Sequence, residues 1–213
     1  MLHKVYYTRI TQPIPSGKWE KALSTLSTEE QAKVLAFRRW EDRTTSLLGR
    51  LLIRHAFSEA KLDMGKDIYF NQYKRPCCSA GWDFNLSHCD DTAVLIIAPN
   101  AEVGIDVERT DTVKNSDDLT NSFTCAEWKQ IETSPSPSLS MLTFWTRKEA
   151  VMKAVGSGLQ IPPASLEVIE DTIRYEDKTW FIHPLKLSVQ HLCHFATSDP
   201  KPEVQIQAYE LRV

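Results

Sequence analysis

Two short stretches hold the residues best suited to chemistry. In "VGIDVE" Asp106 and Glu108 stand two apart, and in "FWTRKEAVMKAVGSGL" Glu149 and Lys153 stand four apart. On a strand, side chains at i and i+2 leave the same face about 7 Å apart along the backbone. Two carboxylates so placed repel unless water or a cation lies between them, and a hard divalent ion such as Mg2+ is held by one or two such groups plus substrate phosphate. The plainer alternative is the polar face of an edge strand. Glu149 and Lys153 form an i, i+4 pair that contributes only ~0.2–0.5 kcal/mol on a solvated helix. Glu149 can add a ligand oxygen, with Lys148 and Lys153 meeting phosphate, only if that helix packs beside the Asp106–Glu108 strand. A third pair, Ser87 and His88 in "DFNLSHCDD", offers a hydroxyl and an imidazole to a phosphate. Being adjacent on a strand they point to opposite faces, so they are not a nucleophile and its base. Lys33, Arg38, Arg39 and Arg43, then Lys74-Arg75-Pro76, make a basic cluster. Solvated helix faces account for that cluster equally well.

These residues need elements to carry them. "KVYYTRI" reads as a first strand. Ser27 and Glu30 have capping-box spacing, which starts a helix near residue 28. A second helix is expected from about Asp42 to Ala60. "TAVLIIA" (92–98) reads as a buried strand, and 103–108 as a strand with Val103, Ile105 and Val107 on one face and Gly104, Asp106 and Glu108 on the other. Thr124 and Glu127 form a second capping box, opening a helix that runs to Glu132. "TSPSPSLS" (133–140) reads as an exposed loop. The Lys153 stretch follows as a helix from about Leu142 to Val155, stopped by Gly156 or Gly158. From Ser165 onward, "LEVIED", "WFIHPLKLS", "HLCHFATS" and "VQIQAYELRV" read as strands. Helices and strands mix without a βαβ rhythm, which favours an α+β fold. The best candidate boundary is near "APNAE", dividing the chain into 1–101 and 102–213.

Composition narrows the function. With 213 residues, 42% hydrophobic and 25% charged, the chain is an ordinary globular protein. A net charge of -3 gives no general reason to expect nucleic acid or membrane as partner. No apolar run approaches the ~20 residues that span a bilayer, and "MLHKVYYTRI" lacks the pattern of a signal peptide. Five cysteines without a CxxC pair argue against a disulfide framework and against a zinc site, so a cytoplasmic protein with reduced thiols is expected. Residues 27–54 carry six basic against four acidic side chains, whereas 101–135 carry eight acidic against three basic. That split suits a ligand with several phosphates and a metal.

In order, "YKRP", "FNLSH", "GIDVE" and "WTRKEAVMKAVGSGL" resemble the motifs of the 4′-phosphopantetheinyl transferases of the surfactin-synthetase-activating, Sfp-like type. "FRRWEDRTTSLLGRLLIR" is similar to that family's N-terminal helix. The resemblance implies a pseudo-dimer of two similar α+β halves with coenzyme A in the cleft between them. It implies transfer of the phosphopantetheine arm to a serine of an apo acyl or peptidyl carrier protein, with release of adenosine 3′,5′-bisphosphate, by a monomer. Carried over residue by residue, Asp106, Glu108 and Glu149 would hold Mg2+, for which Mn2+ could substitute. Glu149 would also be the candidate base and Lys153 the stabiliser of the leaving phosphate. Lys74, Arg75, Pro76, Ser87, His88 and Lys148 would contact coenzyme A, with Arg39 or Arg43 added from the second helix. A carrier-protein surface is expected in 110–131, at Phe123 and Trp128, with Val113, Leu119 and Ile131 nearby. A coenzyme A or carrier-protein binding protein without catalysis is the rival reading.

Overall fold

The computed structural model describes residues 1–111, 119–157 and 160–211. Its strands are β1 (Leu2–Arg9), β2 (Ile68–Phe70), β3 (Pro76–Cys78), β4 (Trp82–Cys89), β5 (Thr92–Pro99), β6 (Val103–Arg109), β7 (Thr172–Tyr175), β8 (Lys178–Leu185), β9 (His191–Thr197) and β10 (Glu203–Ala208). Its α-helices are α1 (Ser16–Ser24), α2 (Thr28–Leu35), α3 (Trp40–Glu59), α4 (Met64–Asp67), α5 (Cys125–Thr133) and α6 (Pro137–Val155).

One topological unit occurs twice. The strand–helix–hairpin run β1–α3–β4–β5 forms a sheet with neighbours β1-β5-β4, and β6–α6–β8–β9 repeats it as β6-β9-β8, with antiparallel pairing throughout both. This is the α+β pseudo-dimer. Helix α3 covers one face of the first sheet, where Leu52, Ala56 and Phe57 meet Phe84, Leu95 and Ile97. The other face, Val94, Ile96 and Ala98, packs on Val103, Ile105 and Val107 of the second half. That double covering explains the unbroken apolar run of β5, since a strand buried on both faces has no polar side to present.

The halves are not strictly consecutive in sequence. β10 returns to the first sheet and pairs parallel with β1, Val5 opposite Ile206. The expected strand "LEVIED" is irregular, and its backbone groups bond to side chains instead of a neighbouring strand. Val168 N–H donates to Glu127 Oε1 at 2.9 Å, and Arg147 donates to the carbonyls of Val168 at 2.7 Å and Glu170 at 2.7 Å. The loop expected over 133–140 is shorter than that, because Pro137 occupies the first turn of α6, where its missing N–H costs nothing. Helix α1 and the β2–β3 hairpin have no counterpart in the sequence reading. Gly158 and Val113 lie outside the described residues.

Candidate functional site

Helix α6 reaches the second sheet at Gly104. A Cβ there would lie 2.2 Å from both the Ala150 carbonyl oxygen and the Ala154 nitrogen, so only glycine admits the helix this close. The strand alternation then turns Asp106, two residues on, towards the same helix. Lys153, one turn after Glu149, donates to Asp106 Oδ1 at 2.6 Å and lies 3.8 Å from Glu149.

The third side of the site comes from the first half. β4 lies against the free edge of β6, and its side chains take the place of a strand ladder. Asp83 Oδ2 accepts from Val103 N–H at 2.9 Å, and Asn85 Oδ1 accepts from Ile105 N–H at 3.0 Å. Two residues further, Ser87 Oγ donates to Asp106 Oδ1 at 2.9 Å and accepts from Lys153 Nζ at 3.0 Å. The alternation that seals the seam between the halves thus delivers Ser87 into the charged cluster.

Burial works against the charge on Lys153, but Asp106, Glu149 and Glu108 outweigh it and hold the lysine pKa above its ordinary value. Lys153 is therefore an ammonium. Asp106 is buried, and its second oxygen, Oδ2, has no hydrogen-bond partner. A buried carboxylate oxygen left bare calls for a cation or water, and the donor set of Asp106, Glu108 and Glu149 is all oxygen, which fits a hard divalent ion.

Two grooves flank β4. A cleft of about 300 Å³ is lined by Tyr73, Lys74, Arg75, Asn85, Glu149 and Lys153, with Met152 and Gly156. Its rim is shaped by Asn71, whose Oδ1 accepts from the N–H groups of Tyr73 and Arg75 and whose Nδ2 donates to the Gly156 carbonyl. Lys74 sits at the loop tip with φ +62°, exposed to solvent. Gly156 ends α6 at φ +77°, where a Cβ would meet Arg75 Cδ at 2.6 Å. The second groove, about 530 Å³, is lined by Lys33, Phe37, Ser46, Arg50, Leu86 and His88. Burial and the nearby Lys153 ammonium push the His88 imidazole below its usual pKa, although its ring edge reaches solvent at the groove mouth.

Several expected contacts fall elsewhere. Lys148 points away from the cleft and is fully buried against Glu127 at 2.7 Å, with further bonds to the carbonyls of Pro163 and Leu166. It cannot reach a phosphate. Arg75 does line the cleft, but its guanidinium is engaged by Asp83 at 2.8 Å and the Val103 carbonyl at 2.9 Å, so its charge also holds the two halves together. Pro76 pairs with Phe70 in the small hairpin. Arg39 is exposed beside Glu41 and Asp90, and Arg43 donates to the Phe37 carbonyl at 2.7 Å. The arginine that lines the groove with His88 is Arg50, bonded to Ser46, which the sequence reading counted only within a net charge. Phe123 is buried and packs edge-on against half-buried Trp128 at 5.4 Å, in a core that also holds Leu119 and Ile131. Phe123 is thus a core residue, and Trp128 packs against that core while keeping part of its surface exposed.

Comparison with known proteins agrees with this geometry. The profile of the 4′-phosphopantetheinyl transferase superfamily matches residues 102–204, and that of the 4′-phosphopantetheinyl transferase N-terminal region matches 12–100. The 4′-phosphopantetheinyl transferase gsp of Aneurinibacillus migulanus is 33% identical over 164 residues, covering 75% of this chain and 68% of the relative. The Sfp enzyme of Bacillus subtilis is 28% identical, covering 78% and 75%. The human L-aminoadipate-semialdehyde dehydrogenase-phosphopantetheinyl transferase is 26% identical, covering 88% and 72%. The chain thus belongs to the 4′-phosphopantetheinyl transferases, enzymes that move phosphopantetheine from coenzyme A to carrier proteins.

Proposed function

We propose that the transfer is Mg2+-dependent, takes place at the cluster around Lys153, and releases adenosine 3′,5′-bisphosphate. The observation that carries this reading is the convergence of Asp106, Glu149 and Ser87 on one ammonium beside a cleft at the seam of the halves. Asp106, Glu108 and Glu149 would hold the Mg2+, with Mn2+ a possible substitute, and the bare Asp106 Oδ2 supports that fit. When bound, the ion supplies positive charge against the pyrophosphate.

The protein's own groups account for the rest. Glu149, with 19% of its side chain exposed, can accept the hydroxyl proton of the carrier serine. The serine oxygen then bonds to the phosphorus of the pantetheine arm as the pyrophosphate P–O bond breaks. Lys153, kept protonated by its acidic neighbours, meets the charge that develops on the departing nucleotide phosphate. Ser87 fixes Lys153 and Asp106. Lys33, Arg50 and His88 offer donors to the nucleotide phosphates across β4, and Lys74 does so at the loop tip. Free cysteines support action in the reducing cytoplasm, and we propose a monomer there.

The test is direct. The protein, coenzyme A, Mg2+ and a panel of apo acyl and peptidyl carrier proteins are incubated together, and each carrier is weighed. The carrier should gain the phosphopantetheine mass, and Glu149→Gln should reduce turnover at least ~10²-fold while the melting curve is kept. A carrier modified at an undiminished rate after exhaustive metal removal sinks the Mg2+ assignment. An active Glu149→Gln sinks the role given to that residue.

A further inference from the structure

A second group of ligating side chains lies about the β4–β5 turn, apart from the Lys153 cluster. Cys89 ends β4, Asp91 lies in the turn, and His191 opens β9 in the other half. Cys89 Sγ, one carboxylate oxygen of Asp91 and one ring nitrogen of His191 all lie within 4.8 Å of one another. Within the group, Cys89 Sγ is 3.6 Å and His191 Nε2 2.7 Å from the same oxygen, Asp91 Oδ1.

Zinc–ligand bonds of ~2.3 Å to sulfur and ~2.0 Å to nitrogen or oxygen give tetrahedral edges of about 3.5 Å for S···O and about 3.3 Å for N···O. The sulfur edge is already at that length, and the nitrogen edge needs to open by about 0.6 Å. The surroundings are arranged to match. Arg109 binds the other Asp91 oxygen, Oδ2, at 2.8 Å, which leaves Oδ1 facing the group. On the far side of the imidazole, Ser188 Oγ lies 2.7 Å from His191 Nδ1 and fixes the ring with Nε2 towards Cys89 and Asp91. Such an outer partner is the usual companion of a metal-bound histidine. Cys89 is only half-buried, so an ion has a way in. Burial, and then Asp91 and Glu108, push the Cys89 thiol up to about 12, so an ion that binds there has to displace its proton.

We propose that Cys89, Asp91 and His191 form a three-ligand site for Zn2+, or a cation of similar borderline softness, that clamps the β4–β5 turn of the first half to β9 of the second. The fourth position falls to water or to the Thr92 hydroxyl, whose Oγ lies 3.1 Å from both Asp91 Oδ1 and His191 Nε2. On binding, the S–H proton of Cys89 is released to solvent and an S–Zn bond forms. His191 binds through Nε2, any proton there passing to solvent, and keeps a proton on Nδ1 that it donates to Ser188 Oγ. Ligand spacing in sequence gives no sign of this site, because Asp91 and His191 are 100 residues apart. Its soft sulfur ligand also sets it apart from the all-oxygen group at Asp106.

The experiment uses the intact, metal-stripped protein titrated with Co2+, a coloured stand-in for Zn2+. One equivalent should produce a thiolate-to-cobalt charge-transfer band with the strong visible absorption of a four-coordinate ion, and Zn2+ should bleach both. Cys89→Ser, nearly isosteric and at a half-buried position, should lose the charge-transfer band although Cys77, Cys78, Cys125 and Cys193 remain. Ser188→Ala should weaken Zn2+ binding about 10–100-fold. No band in the wild type, or an undiminished band in Cys89→Ser, overturns the proposal. Zn2+ affinity unchanged in Ser188→Ala removes the part given to that hydroxyl.

Discussion

Gly104→Ala tests whether the site depends on how closely α6 approaches β6. The added methyl would lie 2.2 Å from the Ala150 oxygen and the Ala154 nitrogen and 2.8 Å from the Lys153 carbonyl carbon, against an ordinary contact of 3.4 Å or more. Every one of these atoms is helix backbone, so no side chain can rotate away. The helix has to withdraw by about 1 Å, and a displacement of that size at reacting groups costs on the order of 10²-fold in rate. Lys153 and Glu149 move with the helix, while Asp106 stays with β6 and Ser87 with β4. The 2.6 Å contact between Lys153 and Asp106 is the first to open. Overpacking of this kind costs about 1–3 kcal/mol of stability. The assay is initial-rate carrier modification at saturating coenzyme A, with urea unfolding alongside. Gly17→Ala, in α1 where a Cβ meets nothing within 4 Å, is the control and should keep the rate and lose no stability. A Gly104→Ala enzyme within threefold of the wild-type rate, at unchanged stability, would refute the claim that this contact positions the site.

Lys148→Met strands the fully buried Glu127 carboxylate and should cost about 3–5 kcal/mol in urea unfolding, the usual penalty for breaking a buried ion pair. A loss under 1 kcal/mol would mean that Glu127 is held by its bonds to Val168 and Thr124 alone. His194 is buried, and its pKa falls to about 4 because of burial first and then Arg147. A histidine held neutral in the fold contributes its full stability above its unfolded pKa of ~6.5 and loses it as pH falls towards 4, about 3 kcal/mol in all. The stability of the wild type relative to His194→Gln should therefore fall by about 3 kcal/mol between neutral pH and pH 4, and parallel profiles would contradict the assignment. Arg50→Ala should raise the KM for coenzyme A about tenfold or more through the loss of a charged phosphate donor, whereas Arg39→Ala should leave it within twofold. Equal effects from the two would undo the placement of Arg50, and not Arg39, in the groove beside His88.

The sequence by itself determined the parts whose cause is local. Ser27 with Glu30 and Thr124 with Glu127 start their helices because each pair satisfies two orphan N–H groups within four residues. The alternation of 103–108 put Gly104 and Asp106 on one face, where the structure has them meeting α6. The spacing of Glu149 and Lys153 placed both on one side of that helix, and the order of motifs pointed to the family. Tertiary structure decided whatever depends on what lies opposite. Lys148 is adjacent to Glu149 and as charged as Lys153, yet about 100° of helix rotation buries it against Glu127. Arg75 is held by Asp83 at the seam, while Arg50, bonded to Ser46, shares its groove with His88 from a strand far along the chain. "LEVIED" has the residue types of a strand, but its carbonyls and N–H groups find Arg147, Lys148 and Glu127 before any strand. Phe123 could have been surface or core, and only the packing of α6 above it decided for core. Local hydrogen bonds and periodicity can be read along a chain, whereas charge partners and buried faces belong to pairs of residues that only folding brings together.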